Sequence, residues 1–177
     1  MKPSLVLVLG GARSGKSRYA ESLARVAGAP VSYIATAGPP RDDEMAARIA
    51  AHQARRPADW ITIDAPLDLA EALANVAGVA VVDCLTLWLT NVVLAEKSVG
   101  DATDALLSAM AARAGSVVAV SNEVGEGIVP ATSLGRRFRD HQGVLNQRVA
   151  EVATDVVKVV AGCPVVIKPR PQPEISL

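Results

Sequence analysis

Short aliphatic runs alternate with longer stretches of helical period along this chain. SLVLVL (Ser4 to Leu9) is β-branched and apolar, which predicts a buried strand. A glycine loop follows, and then KSRYAESLARVAG (Lys16 to Gly28) reads as a helix ending at glycine. VSYIATA (Val31 to Ala37) is a second strand. The helical period from about Asp42 to Arg56 is stopped by Pro57. DWITID (Asp59 to Asp64) predicts a third strand and Leu67 to Gly78 a helix. VAVVD (Val79 to Asp83) is a strand ending in a carboxylate. Two further helices are expected over Leu85 to Glu96 and Asp101 to Ala114. SVVAVS (Ser116 to Ser121) is a strand, NEVGEGIVP a glycine-containing loop, and Leu134 to Ala153 a helix with Gly143 as a weak point. DVVKVV (Asp155 to Val160) and PVVIK (Pro164 to Lys168) predict a closing hairpin around AGCP. The proline-rich tail, 169–177, is expected to fray. Alternation of strand and helix implies βαβ crossovers and a mostly parallel sheet with helices on both faces. The hairpin would add an antiparallel edge.

At 177 residues the chain suits a single domain, 1–177, that needs no disulfide or metal staple. Aromatics are only 3% of it, so the core must be built from Val, Leu, Ile and Ala. Eighteen basic residues balance eighteen acidic ones, so neither nucleic acid nor an acidic membrane surface is indicated as a partner. Cys84 and Cys163 lack metal-ligand spacing and read as reduced core residues of a cytoplasmic protein. The first apolar run is too short for a signal peptide, and none approaches the roughly 20 residues of a bilayer span.

The chemistry begins at GGARSGKS, which fits G-x-x-x-x-G-K-[ST] over Gly10, Gly11, Ala12, Arg13, Ser14, Gly15, Lys16 and Ser17. Its glycines let backbone N–H groups converge on phosphate oxygens, and the helix that follows presents its positive end to the same anion. Lys16 would bind the β/γ-phosphates, and the Ser17 hydroxyl would join a Mg²⁺ shell. Four apolar residues before Asp83 fit the strand-end carboxylate that orders this metal. The architecture is therefore expected to be P-loop NTPase-like α/β. No N-K-x-D guanine reader is present, and the fold alone does not name a reaction. On the second helix Met45, Ile49, His52 and Arg56 share one stripe, with Arg48 and Arg55 also within reach of His52. A neutral imidazole among guanidiniums is a candidate nucleophile. A half-buried helix histidine with solvated arginines fits the same pattern.

GGARSGKS, YIATA, DDEMAARIAAH…RP…W.T, VDCLTLWLTN, NEVGEGIVP and RFRD..G..NQ occur here in one order. This resembles the bifunctional adenosylcobinamide kinase / adenosylcobinamide-phosphate guanylyltransferase family of cobalamin biosynthesis, over about Leu5 to Lys168. The resemblance implies two reactions. A nucleoside triphosphate, ATP or GTP, phosphorylates adenosylcobinamide. GMP from GTP is then carried on a histidine to adenosylcobinamide phosphate, giving adenosyl-GDP-cobinamide and pyrophosphate. The carrier position corresponds to His52. Nucleotide contacts are implied at Gly10 to Ser17, at Ile34, Ala35 and Thr36, at Gln53, Ala54, Arg55 and Arg56, and at Asp64 and Asp83. Asp64 stands where the family often has Glu, and Gln53 where a basic residue is common. Asn122 and Glu123 are expected near the corrinoid or nucleotide, or hold their own loop. The resemblance also implies a homotrimer. The apolar helix around Trp88 suits either a subunit contact or the core. Two other functions fit the loop and Asp83: a monofunctional P-loop kinase and a nucleotide-dependent regulator.

Overall fold

The computed structural model of the chain describes residues 3–28, 30–40 and 42–169, the side chain of Arg48 excepted. The elements run β1 (Leu5–Gly10), α1 (Lys16–Arg25), β2 (Val31–Ala35), α2 (Asp43–Ala54), β3 (Ile61–Asp64), α3 (Leu69–Ala74) and β4 (Val79–Asp83). They continue as α4 (Leu85–Leu94), α5 (Val99–Ala112), β5 (Val117–Asn122), α6 (Ser133–Val152), β6 (Asp155–Val160) and β7 (Cys163–Lys168). The strands form one seven-stranded sheet in the order β3-β2-β4-β5-β1-β6-β7. Every pairing is parallel except β6 with β7. The expected parallel sheet with an antiparallel C-terminal edge is the observed one.

Because side chains alternate across a strand, the sheet has two distinct faces. On one face Leu7, Ile34, Val82 and Ala119 pack against Leu69, Leu73, Leu85, Trp88, Leu106 and Leu145 of α3 to α6. On the other, Val8, Val120 and Val157 pack against Ala20 of α1, while Tyr33, Val79 and Val81 pack against Ala24. Trp88 is a core residue at 2% exposure, and its indole donates to the Leu67 carbonyl at 3.0 Å. Among the described residues no helix is long and apolar enough to cross a membrane.

Register sets the functional rim. Gly10 pairs with Asn122 and Ala35 with Asp83, so the C-terminal ends of β1, β5, β2 and β4 finish side by side. The chain passes from β1 across β5 and β4 to reach β2. In open α/β sheets ligands bind outside such strand ends.

Three expectations need correction. Gly143 does not interrupt α6, which is continuous from Ser133 to Val152. Cys163 is exposed at the start of the edge strand, so only Cys84 of the two free thiols is a core residue. The third helix stops at Ala74, four residues before Gly78. The carbonyls at and just beyond its end are taken by a distant side chain. Arg113 donates to the carbonyls of Leu73 at 2.6 Å, Val76 at 2.7 Å and Gly78 at 2.7 Å. A guanidinium can feed three carbonyls at once because its donors lie in a fixed fork. The proline-rich tail beyond Pro169 lies outside the described residues.

Arg113→Ala should lower unfolding stability by about 2–3 kcal/mol, the worth of hydrogen bonds from a charged donor plus the carbonyls left unpaired. Urea unfolding measures this, and Arg113→Lys should recover only part of the loss. An unchanged midpoint for Arg113→Ala would mean that water serves those carbonyls equally well.

Candidate active site

The phosphate loop is built on two backbone requirements. Arg13 and Gly15 have positive φ, 55° and 94°, the left-handed turns by which such a loop curls. Gly10 lies so close to its surroundings that a Cβ there would stand 2.5 Å from Ser14 Oγ and 2.7 Å from the Val159 carbonyl. The loop is braced from two strands. Gly162 N–H donates to the Ser14 carbonyl at 2.8 Å, and Glu123 N–H to the Gly10 carbonyl at 3.1 Å. The C-terminal hairpin thus supports the loop from outside. Lys16 is 7% exposed and donates to the Gly11 carbonyl at 3.1 Å, which keeps its ammonium inside the loop's curve.

Asp83, at the end of β4, is the meeting point. Ser17 Oγ donates to its Oδ1 at 3.2 Å. Tyr33 donates its phenol to Oδ2. His52 Nδ1 stands 3.3 Å from the same Oδ2. Burial pushes the carboxyl's pKa up, but hydrogen bonds from His52, Tyr33 and Ser17 outweigh it and hold the group below the usual carboxylate value. Asp83 is therefore an anion. The phenol of Tyr33 is driven upward by burial and by the Asp83 charge, so it remains a donor. Burial, with the same charge adding to it, pushes the Cys84 thiol up to about 11.

A cavity of about 430 Å³ opens in front of these groups. Lys16 and Ser17 line it from the phosphate loop, Asp64 and Asp83 from strand ends, and Asn122 from β5. The predicted helical stripe lines it as a unit: Met45, Ile49, His52 and Arg56 all face it, with Gln53. The other expected positions differ. Ile34 and Thr36 have fully buried side chains, while Ala35 between them lines the cavity. Thr36 works as a staple: its hydroxyl donates to the Cys84 carbonyl at 2.7 Å and accepts from the Cys84 N–H at 2.8 Å. Arg55 turns to Glu21 at 3.3 Å. Arg56 lies 3.6 Å from the Tyr33 ring centroid and donates to Thr62 Oγ1 at 3.1 Å. Among the described side chains the charged group placed against the imidazole is the Asp83 carboxylate; the side chain of Arg48 is outside the described residues. Asn122 N–H donates to Thr86 Oγ1 at 2.9 Å. Glu123 accepts from Gly125 N–H at 2.7 Å, holding its own loop. Ala54 closes α2 away from the cavity lining.

Two features escaped the reading of the sequence. Tyr33 is 1% exposed and stacks on Trp60, ring centroids 6.3 Å apart. Its signal was the period-2 position that puts Tyr33 and Asp83 on one face. The second is a buried amide cluster behind β5. Ser121 Oγ donates to Asn146 Oδ1 at 2.7 Å, Gln142 Nε2 donates to Ser121 Oγ at 3.0 Å, and Asn146 Nδ2 donates to the Asn122 carbonyl at 3.1 Å. These contacts fix the strand end that carries Asn122.

The model of the family described as cobinamide kinase / cobinamide phosphate guanyltransferase matches residues 6–167. The chain belongs to this family. It is 48% identical over 170 residues to the bifunctional adenosylcobalamin biosynthesis protein CobP of Pseudomonas aeruginosa, covering 93% of this chain and 98% of that one. It is 42% identical over 183 residues to the bifunctional adenosylcobalamin biosynthesis protein CobU of Salmonella typhimurium, covering 93% and 99%. As a member of the cobinamide kinase / guanyltransferase family, the chain is an enzyme of cobalamin biosynthesis. More distant likenesses bear on the fold alone. The flagellar accessory protein FlaH of Methanocaldococcus jannaschii superposes with a TM-score of 0.51 at 14% identity, covering 94% of this chain and 79% of that one. An ATPase of the type III secretion system of pathogenic bacteria gives 0.51 at 11% identity, covering 89% and 51%.

In this family member Lys16→Ala should reduce nucleotide-dependent turnover on the order of a hundredfold or more, with the fold intact. Steady-state rates alongside circular dichroism check it. A folded Lys16→Ala protein at wild-type rates would leave the loop a purely structural role.

Proposed function

We propose that one strand-end cavity serves two successive transfers. In the first, the γ-phosphoryl group of ATP or GTP passes to the hydroxyl of the aminopropanol arm of adenosylcobinamide. In the second, His52 takes GMP from GTP with loss of pyrophosphate, and adenosylcobinamide phosphate collects it as adenosyl-GDP-cobinamide. The observation that carries this reading is the shared lining: His52 faces the same cavity as Lys16 and Ser17. A triphosphate cradled by the loop would lie in reach of the imidazole, and covalent transfer splits one difficult displacement into two easier ones.

The residues present fit a magnesium ion. Ser17 Oγ and Asp83 Oδ1, both hard oxygen donors, lie 3.2 Å apart beside Lys16. Among the described residues no cluster of three or more His, Cys, Asp or Glu forms a metal cage. Mg²⁺ on triphosphates needs none, because it takes one or two protein oxygens and completes its shell with phosphate and water. When bound, Mg²⁺ neutralises charge between phosphates. Lys16 and the loop N–H groups position the anion, and Asp83 orients its neighbours. Gly38-Pro39-Pro40 precedes α2 and would serve as the hinge on which the helix adjusts to a nucleotide. Resemblance to the family further supports a single domain working as a cytoplasmic homotrimer.

Without a corrinoid, α-labelled GTP should tag the protein in an acid-labile, alkali-stable form, as a phosphoramidate would. γ-labelled GTP should leave no such tag. His52→Ala should lose the tag and guanylyl transfer while keeping measurable kinase activity. Full α-labelling of His52→Ala would eliminate His52 as the carrier and return it to a structural helix residue.

Asp83→Asn should raise the Mg²⁺ concentration needed for half-maximal rate on the order of tenfold or more, since the amide keeps the shape and loses the charge. A metal titration of each activity reads this directly. Superimposable curves would remove Asp83 from the metal site.

A further inference from the structure

We infer that Asp83 and Tyr33 fix the imidazole of His52 through its Nδ1, so that Nε2 is the atom that takes the guanylyl group and Tyr33 is a positioning residue for that step. The inference rests on the covalent reading given above and adds to it the reacting atom and the device that selects it.

Geometry divides the Asp83 carboxylate into two halves. Oδ1 faces the phosphate loop through Ser17, at 3.2 Å. Oδ2 serves a different pair, accepting from the Tyr33 phenol and standing 3.3 Å from His52 Nδ1. An ionised carboxylate oxygen only accepts, and a neutral imidazole carries one N–H and one lone pair. The nitrogen facing Oδ2 must therefore hold the proton, and the lone pair lies on Nε2. Nδ1 is spent on this contact, while the His52 ring lines the cavity shared with Lys16.

The position of Oδ2 is in turn set by Tyr33. This residue sits one strand over on β2, on the same sheet face as Val81 and Val79, and is 1% exposed. Its ring has the Arg56 guanidinium 3.6 Å from its centroid and is stacked on Trp60. A buried phenol with a guanidinium over its ring has little room to swing, so its O–H points at one place. The carboxylate it meets is pinned at Oδ2 by Tyr33 and at Oδ1 by Ser17, and its rotation is blocked.

The step balances without an external proton carrier. The Nε2 lone pair forms the N–P bond to the α-phosphorus. The P–O bond to the β-phosphate breaks, and its electron pair leaves with pyrophosphate. The ring becomes a cation that keeps its Nδ1 proton directly against the Asp83 anion. When a phosphate oxygen of the acceptor attacks the same phosphorus, the N–P bond breaks and the ring returns to the neutral Nδ1–H form. A nucleophile oriented by a third group is the general logic of activated side chains.

The test uses full-length protein carrying ¹⁵N-histidine, reacted with GTP and Mg²⁺, denatured in alkali and examined by ¹H–¹⁵N and ³¹P correlation spectroscopy. The expected product has phosphorus coupled to Nε2 of His52 alone. Phosphorus on Nδ1 of His52 would overturn this inference and leave the covalent reading standing. Phosphorus on neither histidine would overturn both. In Tyr33→Phe, adduct formation should slow on the order of tenfold or more, with part of the adduct on Nδ1, in protein that remains folded by circular dichroism. A mixture of isomers is an outcome that lost stability alone does not produce. Wild-type rate with an Nε2-only adduct in Tyr33→Phe would remove Tyr33 from the positioning role. Should Tyr33→Phe fail to fold, the isomer formed by the wild-type protein still decides the assignment.

Discussion

The carboxylate of Asp83 ties together parts of the chain that have no other reason to meet. It ends β4 at the rim of the sheet, takes a hydrogen bond from Ser17 at the start of α1, another from Tyr33 on β2, and faces His52 on α2. Away from water such an anion is costly unless every lone pair finds a donor. The donors outweigh the burial penalty, since the carboxyl titrates below its usual value. Remove any one of them and the remaining geometry loosens, because the phosphate loop, the second strand and the histidine helix are referenced to the same two oxygens.

The periphery of the sheet supports this centre by backbone contacts. The turn of the β6–β7 hairpin donates from Gly162 to Ser14, and β5 sends Glu123 N–H to Gly10, so the loop is clamped between two neighbours of β1. Behind β5, Ser121, Gln142 and Asn146 form a buried network that fixes the direction in which Asn122 leaves the strand. Buried polar networks of this kind contribute specificity of arrangement as well as stability. Asn91 does similar work behind β2, donating to the carbonyls of Thr36 at 2.8 Å and Pro66 at 3.1 Å.

A P-loop and a strand-end carboxylate are common to proteins of many functions, and the structural likeness to a flagellar accessory protein and a secretion ATPase reaches the fold alone. In this member of the cobinamide kinase / guanyltransferase family a helix, α2, lines the cavity at the rim. Its stripe of Met45, Ile49, His52 and Arg56 closes the cavity with apolar residues at one end and a histidine and arginine at the other. The frame handles phosphates, and the helix adds an imidazole to the same space.

Sequence alone determined those features whose cause is local. Hydrophobic period placed all thirteen elements of the described residues, because the burial of a strand or helix face is written in the spacing of its own apolar residues. The phosphate loop was legible since its glycines and Lys16 are consecutive, and the stripe on α2 since a helix converts spacing into direction. Other features arise from contacts between residues far apart in sequence, and these only the tertiary structure decided. The α3 end was misplaced because Arg113, some forty positions on, takes its carbonyls. The surroundings of His52 were read as arginines because Arg48, Arg55 and Arg56 are its neighbours on the helix. In the folded chain Arg55 turns to Glu21 and Arg56 lies over the Tyr33 ring, the side chain of Arg48 is outside the described residues, and a carboxylate from β4 faces the imidazole. Nothing local joins Tyr33, His52 and Asp83. The parallel register of β2 with β4 and the crossing of α2 over their ends bring them together, and both are set by packing of the whole sheet.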